Sequence, residues 1–331
     1  MKIRPSRRLA TLLVALAVTA AGLAACTSDP KTSAHSGART SAAARHGSCF
    51  GSAAMVPSNH CPATTTGKLT PIPKRAASDK SQAYGSVSGK KDCFARQPTF
   101  AMDICHFGDP SAKISVALVG NSHAGEWLPA LQRIIAKHHW KLTTYLASRC
   151  ANAYLLQSLG PDPEDSDCLQ WAHRSTELIT SGHYNLVVMT NRVSVPAVGK
   201  TLSASQAPYA RGYQQVLEAY QKAGLPVVGI RDSPAPGFQI PACLRQHRDN
   251  YDACAGTRAK WLPKEPLATA IQRLHDQHVV EADLTDYICH PVVCPAAIGG
   301  VPVYFDASHM TATFAATLAP YLEPYVTKAL R

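Results

Sequence analysis

Ile114-Ser-Val-Ala-Leu-Val-Gly120-Asn-Ser122-His-Ala124 is the stretch whose reading decides the fold of this chain. It begins as an apolar run of strand length, breaks at Gly120, and is followed by Glu126-Trp-Leu-Pro-Ala-Leu-Gln-Arg-Ile-Ile135, where apolar residues recur at helical spacing. Ser122 is therefore expected on a strand-to-helix turn. Such a turn exposes a hydroxyl at the carboxyl edge of a parallel sheet and directs free N–H groups at any oxyanion that develops there.

The same alternation runs outward from this turn. Strand-like segments at 114–120, 141–147, 186–190, 225–231 and 279–283 are interleaved with helical patterns at 167–181, 210–223 and 267–278, and a last helix is expected over 315–325. Parallel strands joined by helical crossovers need both sheet faces covered, so the expected class is α/β, a three-layer α/β/α sandwich around a mostly parallel sheet. Ligands of such sheets sit beyond the carboxyl ends of the strands, where this reading places Ser122, Asn191 and Arg192.

A serine hydroxyl attacks poorly at neutral pH without a base, and the base needs a partner that fixes its tautomer. Asp306-Ala-Ser-His309, near the end of the chain, supplies both residue types three positions apart, giving the order Ser122, Asp306, His309. An Asp-x-x-His pair also arises as a helix cap beside a surface histidine. The strand context of Ser122 and the helix that follows His309 favour the catalytic reading. His123, Trp127 and Trp171 are assigned to the core, the usual place of aromatic side chains at helical spacing.

These segments resemble a known family. Gly120-Asn-Ser122-His-Ala124 and Val303-Tyr-Phe-Asp306-Ala-Ser-His309-Met-Thr311 look like the first and last signature blocks of SGNH hydrolases, in the form carried by the extracellular domain of membrane acyltransferase-3 proteins. Cys168-Leu-Gln-Trp171, read as the opening of a helix, and Asn185-Leu-Val-Val-Met-Thr-Asn191-Arg192 extend the resemblance over 91–331. It implies a flavodoxin-like SGNH fold with Ser122, Asp306 and His309 as the catalytic residues. Two departures stand out. Asn121 replaces the usual aspartate, and Ser148-Arg149-Cys150 stands where many members have an oxyanion-hole glycine. The backbone N–H of Ser122 is one expected oxyanion donor; for the second, Asn191 suits the hydrolase pattern and Arg192 the acyltransferase-linked one, and the sequence leaves both open.

The amino terminus carries Lys2, Arg4, Arg7 and Arg8, then the apolar Leu12-Leu-Val-Ala-Leu-Ala-Val18, then Leu23-Ala-Ala-Cys26. This reads as a bacterial export signal over 1–25 ending in a lipobox, with Cys26 as the lipid-bearing mature terminus; general and twin-arginine export both remain open. The apolar run is shorter than a membrane span requires. Residues 26–47 form a polar tether, and 48–90 an irregular, disulfide-containing extension. Of 11 cysteines, one assigned to lipid leaves ten that can pair. Neighbours in sequence suggest Cys49 with Cys61, Cys93 with Cys105, Cys150 with Cys168, Cys243 with Cys254, and Cys289 with Cys294, and that density implies an oxidising compartment.

Cys-x-x-Cys and His-Glu-x-x-His are both missing, so neither a metal nor another cofactor is expected. The net charge of +11 is scattered, without a Lys/Arg run or interleaved aromatics, which argues against nucleic acid. The expected protein is a lipoprotein on the outer face of the bacterial cell membrane that transfers or hydrolyses O-acyl groups, acetyl foremost, on a glycan or glycolipid. A transferase lacking membrane spans would require a separate membrane protein as acyl donor. The alternative from another class is a non-catalytic carbohydrate-binding lipoprotein, for which Asn121 and the missing glycine are the evidence.

Overall fold

The computed structural model describes residues 49–331, apart from 86–88, 90, 161, 263 and the side chains of 162–164. The export signal, Cys26 and the whole tether lie outside the described residues. Strands β1 (Phe94–Ala95), β2 (Ile104–Gly108), β3 (Ser115–Gly120), β4 (Lys141–Ala147), β5 (Leu186–Thr190) and β6 (Val227–Ile230) join β8 (Val279–Ala282) in a seven-stranded sheet; the short β7 (Gly256–Thr257) lies outside it. The main order is β1-β4-β3-β5-β6-β8 with parallel pairing, and β2 is the antiparallel exception along the outer edge of β4.

Every residue of β3 is buried, as a central strand covered on both faces requires. Its alternate side chains divide between two cores. Val116 and Leu118 pack with Leu131, Ile134 and Phe314, whereas Ala117 and Val119 pack with Trp171, Tyr213 and Leu217. The first group draws on α2 (Ser122–Glu126), α3 (Leu128–His138), α9 (Ala312–Thr317) and α10 (Ala319–Ala329), and the second on α4 (Asp162–Ser181), α5 (Gln206–Lys222) and α8 (Pro266–Leu274). Shorter helices α1 (Pro73–Ala76), α6 (Ile240–Gln246) and α7 (Arg258–Trp261) occupy connections. This is the expected α/β/α sandwich.

Local chemistry moves some boundaries. The fourth helix begins at Asp162, so Cys168 lies well inside it rather than at its start. The last helix is two: Thr311 caps α9 by accepting from the Phe314 N–H, and Pro320 at the start of α10 fits a new first turn. The five suggested disulfides are all formed, and Trp127 and Trp171 are buried.

The described residues of the extension, from 49 onward, belong to the same compact unit as the sheet. The extension is fastened by polar contacts. Asp79 accepts from the N–H groups of Ala312 and Thr313, and the Ser81 hydroxyl donates to the Gly125 carbonyl. Ser52 donates twice to Thr317, from its N–H to the side-chain hydroxyl and from its hydroxyl to the carbonyl.

Candidate active site

The turn between β3 and α2 is built on a residue that must lack a side chain. Gly120 has φ +145°, and a Cβ there would fall 1.9 Å from the Thr190 carbonyl oxygen. Asn121 then caps α2: its Oδ1 accepts from the His123 N–H, and also from the Arg192 N–H, while its Nδ2 donates to the Arg192 carbonyl. That last bond gives the departure from aspartate a physical role. A carboxylate has no proton for the carbonyl, whereas the amide bridges both backbone groups of Arg192 and ties the serine turn to the end of β5.

Ser122, Asp306 and His309 meet here. The Ser122 hydroxyl lies 2.8 Å from His309 Nε2, and His309 Nδ1 lies 2.8 Å from Asp306 Oδ2. Asp306 Oδ1 also accepts from the N–H groups of Ser308 and His309, closing the Asp-x-x-His segment on itself. Burial raises the Asp306 pKa, but the hydrogen bonds and charge of His309, with those backbone donors, outweigh it and bring the group to about 2. Asp306 is ionised at neutral pH, which fixes Nδ1 as the protonated ring nitrogen and leaves Nε2 free to accept the serine proton. Phe305 stacks on the His309 ring at 5.3 Å.

The expected oxyanion donors surround the same turn. The Ser122 N–H has no hydrogen-bond partner among the described residues. Asn191 is 1% exposed; its Oδ1 accepts from the Asn152 N–H, leaving buried Nδ2 without a partner. Arg192 has a buried, unpartnered Nη1. At Ser148-Arg149-Cys150, Arg149 adopts φ +65°, so the loop has a left-handed turn without glycine.

A second carboxylate–imidazole group lies behind the first and was not anticipated. His123 Nδ1 donates to Asp232 at 2.6 Å, and its ring is 4.7 Å from that of His309. Glu126 accepts from the Ser233 hydroxyl at 2.6 Å and from the Met310 N–H at 2.7 Å. Glu126 thus pins the residue after His309 to the helix that begins with Ser122. Burial is the main cause of both shifts in this group: it lowers His123 to about 4, against Asp232, and raises Glu126 well above the carboxylate range, against its two donors. His123 is neutral at pH 7.

His123, Glu126 and Asp232 also present ligand-type atoms within 4.8 Å of one another. His123 Nδ1 and the Glu126 oxygens are already engaged with Asp232, Ser233 and Met310, so this is a hydrogen-bonded network rather than a donor set open to a cation.

Sequence reasoning also missed Tyr84. Its hydroxyl donates to the Ser122 carbonyl at 2.8 Å, and its ring meets His309 edge-on at 6.0 Å. Burial, followed by the nearby Glu126 and Asp306 carboxyls, raises its pKa well above the usual value, so it is a neutral donor.

A protein-family model described as the SGNH domain fused to AT3 domains matches residues 91–324. Among solved structures, the periplasmic domain of a lipopolysaccharide acetyltransferase from Salmonella ser. Paratyphi A superposes with a TM-score of 0.51 at 10% identity, covering 65% of this chain and 84% of that one. A protein from Bacteroides fragilis described as an acylhydrolase gives 0.41 at 11% identity, covering 68% and 92%. No curated protein matches significantly. At 10% identity the Salmonella structure speaks for the fold alone.

Proposed function

This chain belongs to the SGNH domain family, and on that premise we propose that it is a cell-envelope serine acyltransferase or esterase acting on O-acyl groups, acetyl foremost, of a glycan or glycolipid. The observation that carries the reading is the continuous chain from the Ser122 hydroxyl through His309 to an ionised Asp306. His309 Nε2 takes the Ser122 proton as the oxygen bonds to the acyl carbonyl carbon. The Ser122 N–H and a side-chain donor from Asn191 or Arg192 hold the oxyanion. On collapse the C–O bond to the leaving alkoxide breaks, His309 returns its proton to that oxygen, and an acyl-serine remains. A second hydroxyl then gives its proton to His309 and attacks the acyl carbon, the bond to Ser122 Oγ breaks, and His309 returns the proton to that oxygen: water makes an esterase, a sugar makes a transferase.

The binding-only alternative drew on Asn121 and the missing glycine. Both polar side-chain atoms of Asn121 are hydrogen-bonded and the loop at Arg149 keeps a left-handed turn, which supports the catalytic reading over that alternative. Five disulfides and a leader ending at Cys26 support export and a lipid anchor. For the transferase reading we propose a membrane protein as the acyl donor; no helix among the described residues is long and apolar enough to cross a membrane.

The test is turnover of an aryl acetate, with mass analysis of the Ser122 peptide. Acetyl-serine and a loss of at least about a thousandfold in Ser122→Ala are expected; turnover indifferent to that substitution refutes the proposal. Adding envelope sugars separates the two outcomes, because acetate release unaffected by any acceptor counts against transfer.

A further inference from the structure

Beyond the ends of β5 and β6 lies a cleft of about 130 Å³ that runs from the candidate oxyanion donors Asn191 and Arg192 to Gln206, Lys260 and Lys264, three residues the proposed chemistry does not use. Three of its side chains carry buried polar atoms with nothing to bond: Asn191 Nδ2, Arg192 Nη1 and Gln206 Oε1. Asn191 is almost wholly buried. Unpaired buried polar atoms on three residues of one lining are costly, and they mark this wall as polar rather than packed. Lys260 and Lys264, both exposed, add two more cations to the lining. Neither lysine nor Arg192 has an ion pair among the described residues.

The carboxyls on this wall do not balance them. Asp232, hydrogen-bonded to the His123 ring at 2.6 Å, is one carboxylate against three cations. Glu265 is turned into the start of α8, where it accepts from the Leu267 and Ala268 N–H groups, and burial raises it to about 8. The cleft is therefore cationic at neutral pH, and it communicates with the triad. Asn191 abuts the Gly120 turn, where a Cβ would lie 3.1 Å from its Oδ1, and Asp232 reaches His309 through the His123 ring.

We propose that this cleft is a subsite for an anionic glycan, one carrying carboxylate or phosphate groups, with Arg192, Lys260 and Lys264 recognising the charge, which leaves Asn191 as the side-chain oxyanion donor. It names the substrate class for the acyl-serine chemistry and rests on that reading. Its test does not, because binding is measured on the full chain carrying Ser122→Ala, which performs no turnover. Three probes are titrated by calorimetry at low salt: an oligogalacturonate, a glycerol-phosphate oligomer, and a neutral malto-oligosaccharide of matched length.

At least one anionic probe is expected to bind roughly tenfold more tightly than the neutral one, with a preference that shrinks as salt rises. The stronger of the two tells carboxylate from phosphate. Adding K260A and K264A should bring the preference towards unity while the fold, checked by circular dichroism, persists; Arg192→Gln should weaken the anionic probe separately. Equal binding of charged and neutral probes, no binding of any, or a preference untouched by the lysine substitutions overturns the proposal. Acetyl-serine formation in the unsubstituted chain reports on the catalytic reading alone.

Discussion

Two histidines, their rings 4.7 Å apart, are each bonded through Nδ1 to an aspartate, and only one is equipped for chemistry. The His309 side chain is 18% exposed and its Nε2 holds a serine hydroxyl; that of His123 is 1% exposed and its Nε2 is buried with no partner. The pairing is the same and the surroundings differ. Burial makes the His123 imidazole hard to protonate, so it cannot store a proton during turnover, whereas His309 stands beside the hydroxyl whose proton it would take. A carboxylate–imidazole pair is thus a proton carrier or a structural strut according to what meets the distal nitrogen.

The strongest way to break this contrast is to neutralise the two aspartates in turn. Asp306→Asn removes the acceptor that fixes the His309 tautomer and should lower turnover of an aryl acetate by about 10³–10⁴. Asp232→Asn leaves the Ser122–His309 bond in place and should cost less than about tenfold, with its larger effect on the melting temperature. Equal kinetic losses would mean that both pairs carry protons.

Much of the active pair was legible before any coordinates, because its signals are local. Gly120 before Ser122 marks the turn, and Asp306 and His309 lie close enough in sequence to close their own loop. The inner strands were legible for the same reason: β5 is an apolar run closed by Thr190, β4 is rich in β-branched and apolar residues, and both have the expected bounds. β2 was not, since Ile104-Cys-His-Phe-Gly108 is a half-exposed edge strand with weak alternation. The strut was partly legible. His123 and Glu126 are three residues apart on one helix, and Asp232 follows β6 at the carboxyl edge where ligands and their supports gather. What sequence hides is that Glu126 reaches Met310, a contact across 184 positions. Tyr84 had no signal, since its role depends on how an irregular segment packs.

Stability against pH sharpens the contrast from the other side. The folded-state pKa of His123 lies below the unfolded value, so the unfolded chain takes up a proton first as pH falls through 6.5, and this contribution is lost progressively down to about pH 4. The loss is roughly 3 kcal/mol. Glu126 acts in the opposite sense, because its raised pKa favours the fold in acid and that contribution is lost as pH rises above 4.5. Asp306, depressed to about 2, contributes above its unfolded pKa near 3.8 and is lost only as pH falls through the window below. Denaturant unfolding of the native chain against His123→Asn should therefore show the substitution becoming relatively more favourable between pH 6.5 and 4. Against Glu126→Gln the trend should reverse, with that substitution becoming relatively less favourable over the same range. Parallel curves in either comparison would mean that the buried group titrates as an ordinary surface residue.

The smallest effect belongs to the segment outside the family match. Tyr84 touches no substrate in this reading; it holds the Ser122 carbonyl and borders the His309 ring, so it is a positioning residue. Tyr84→Phe keeps the ring contacts and removes one neutral hydrogen bond, worth about 1 kcal/mol. If that bond sets where the serine turn sits, kcat should fall about threefold to tenfold with KM nearly unchanged, and the pH profile of kcat should keep its shape because Tyr84 does not titrate in the working range. A loss confined to KM would place Tyr84 against the substrate instead. A lower melting temperature with unaltered kinetics would reduce it to packing, leaving the extension as a cover for α9 and the serine turn rather than a wall of the site.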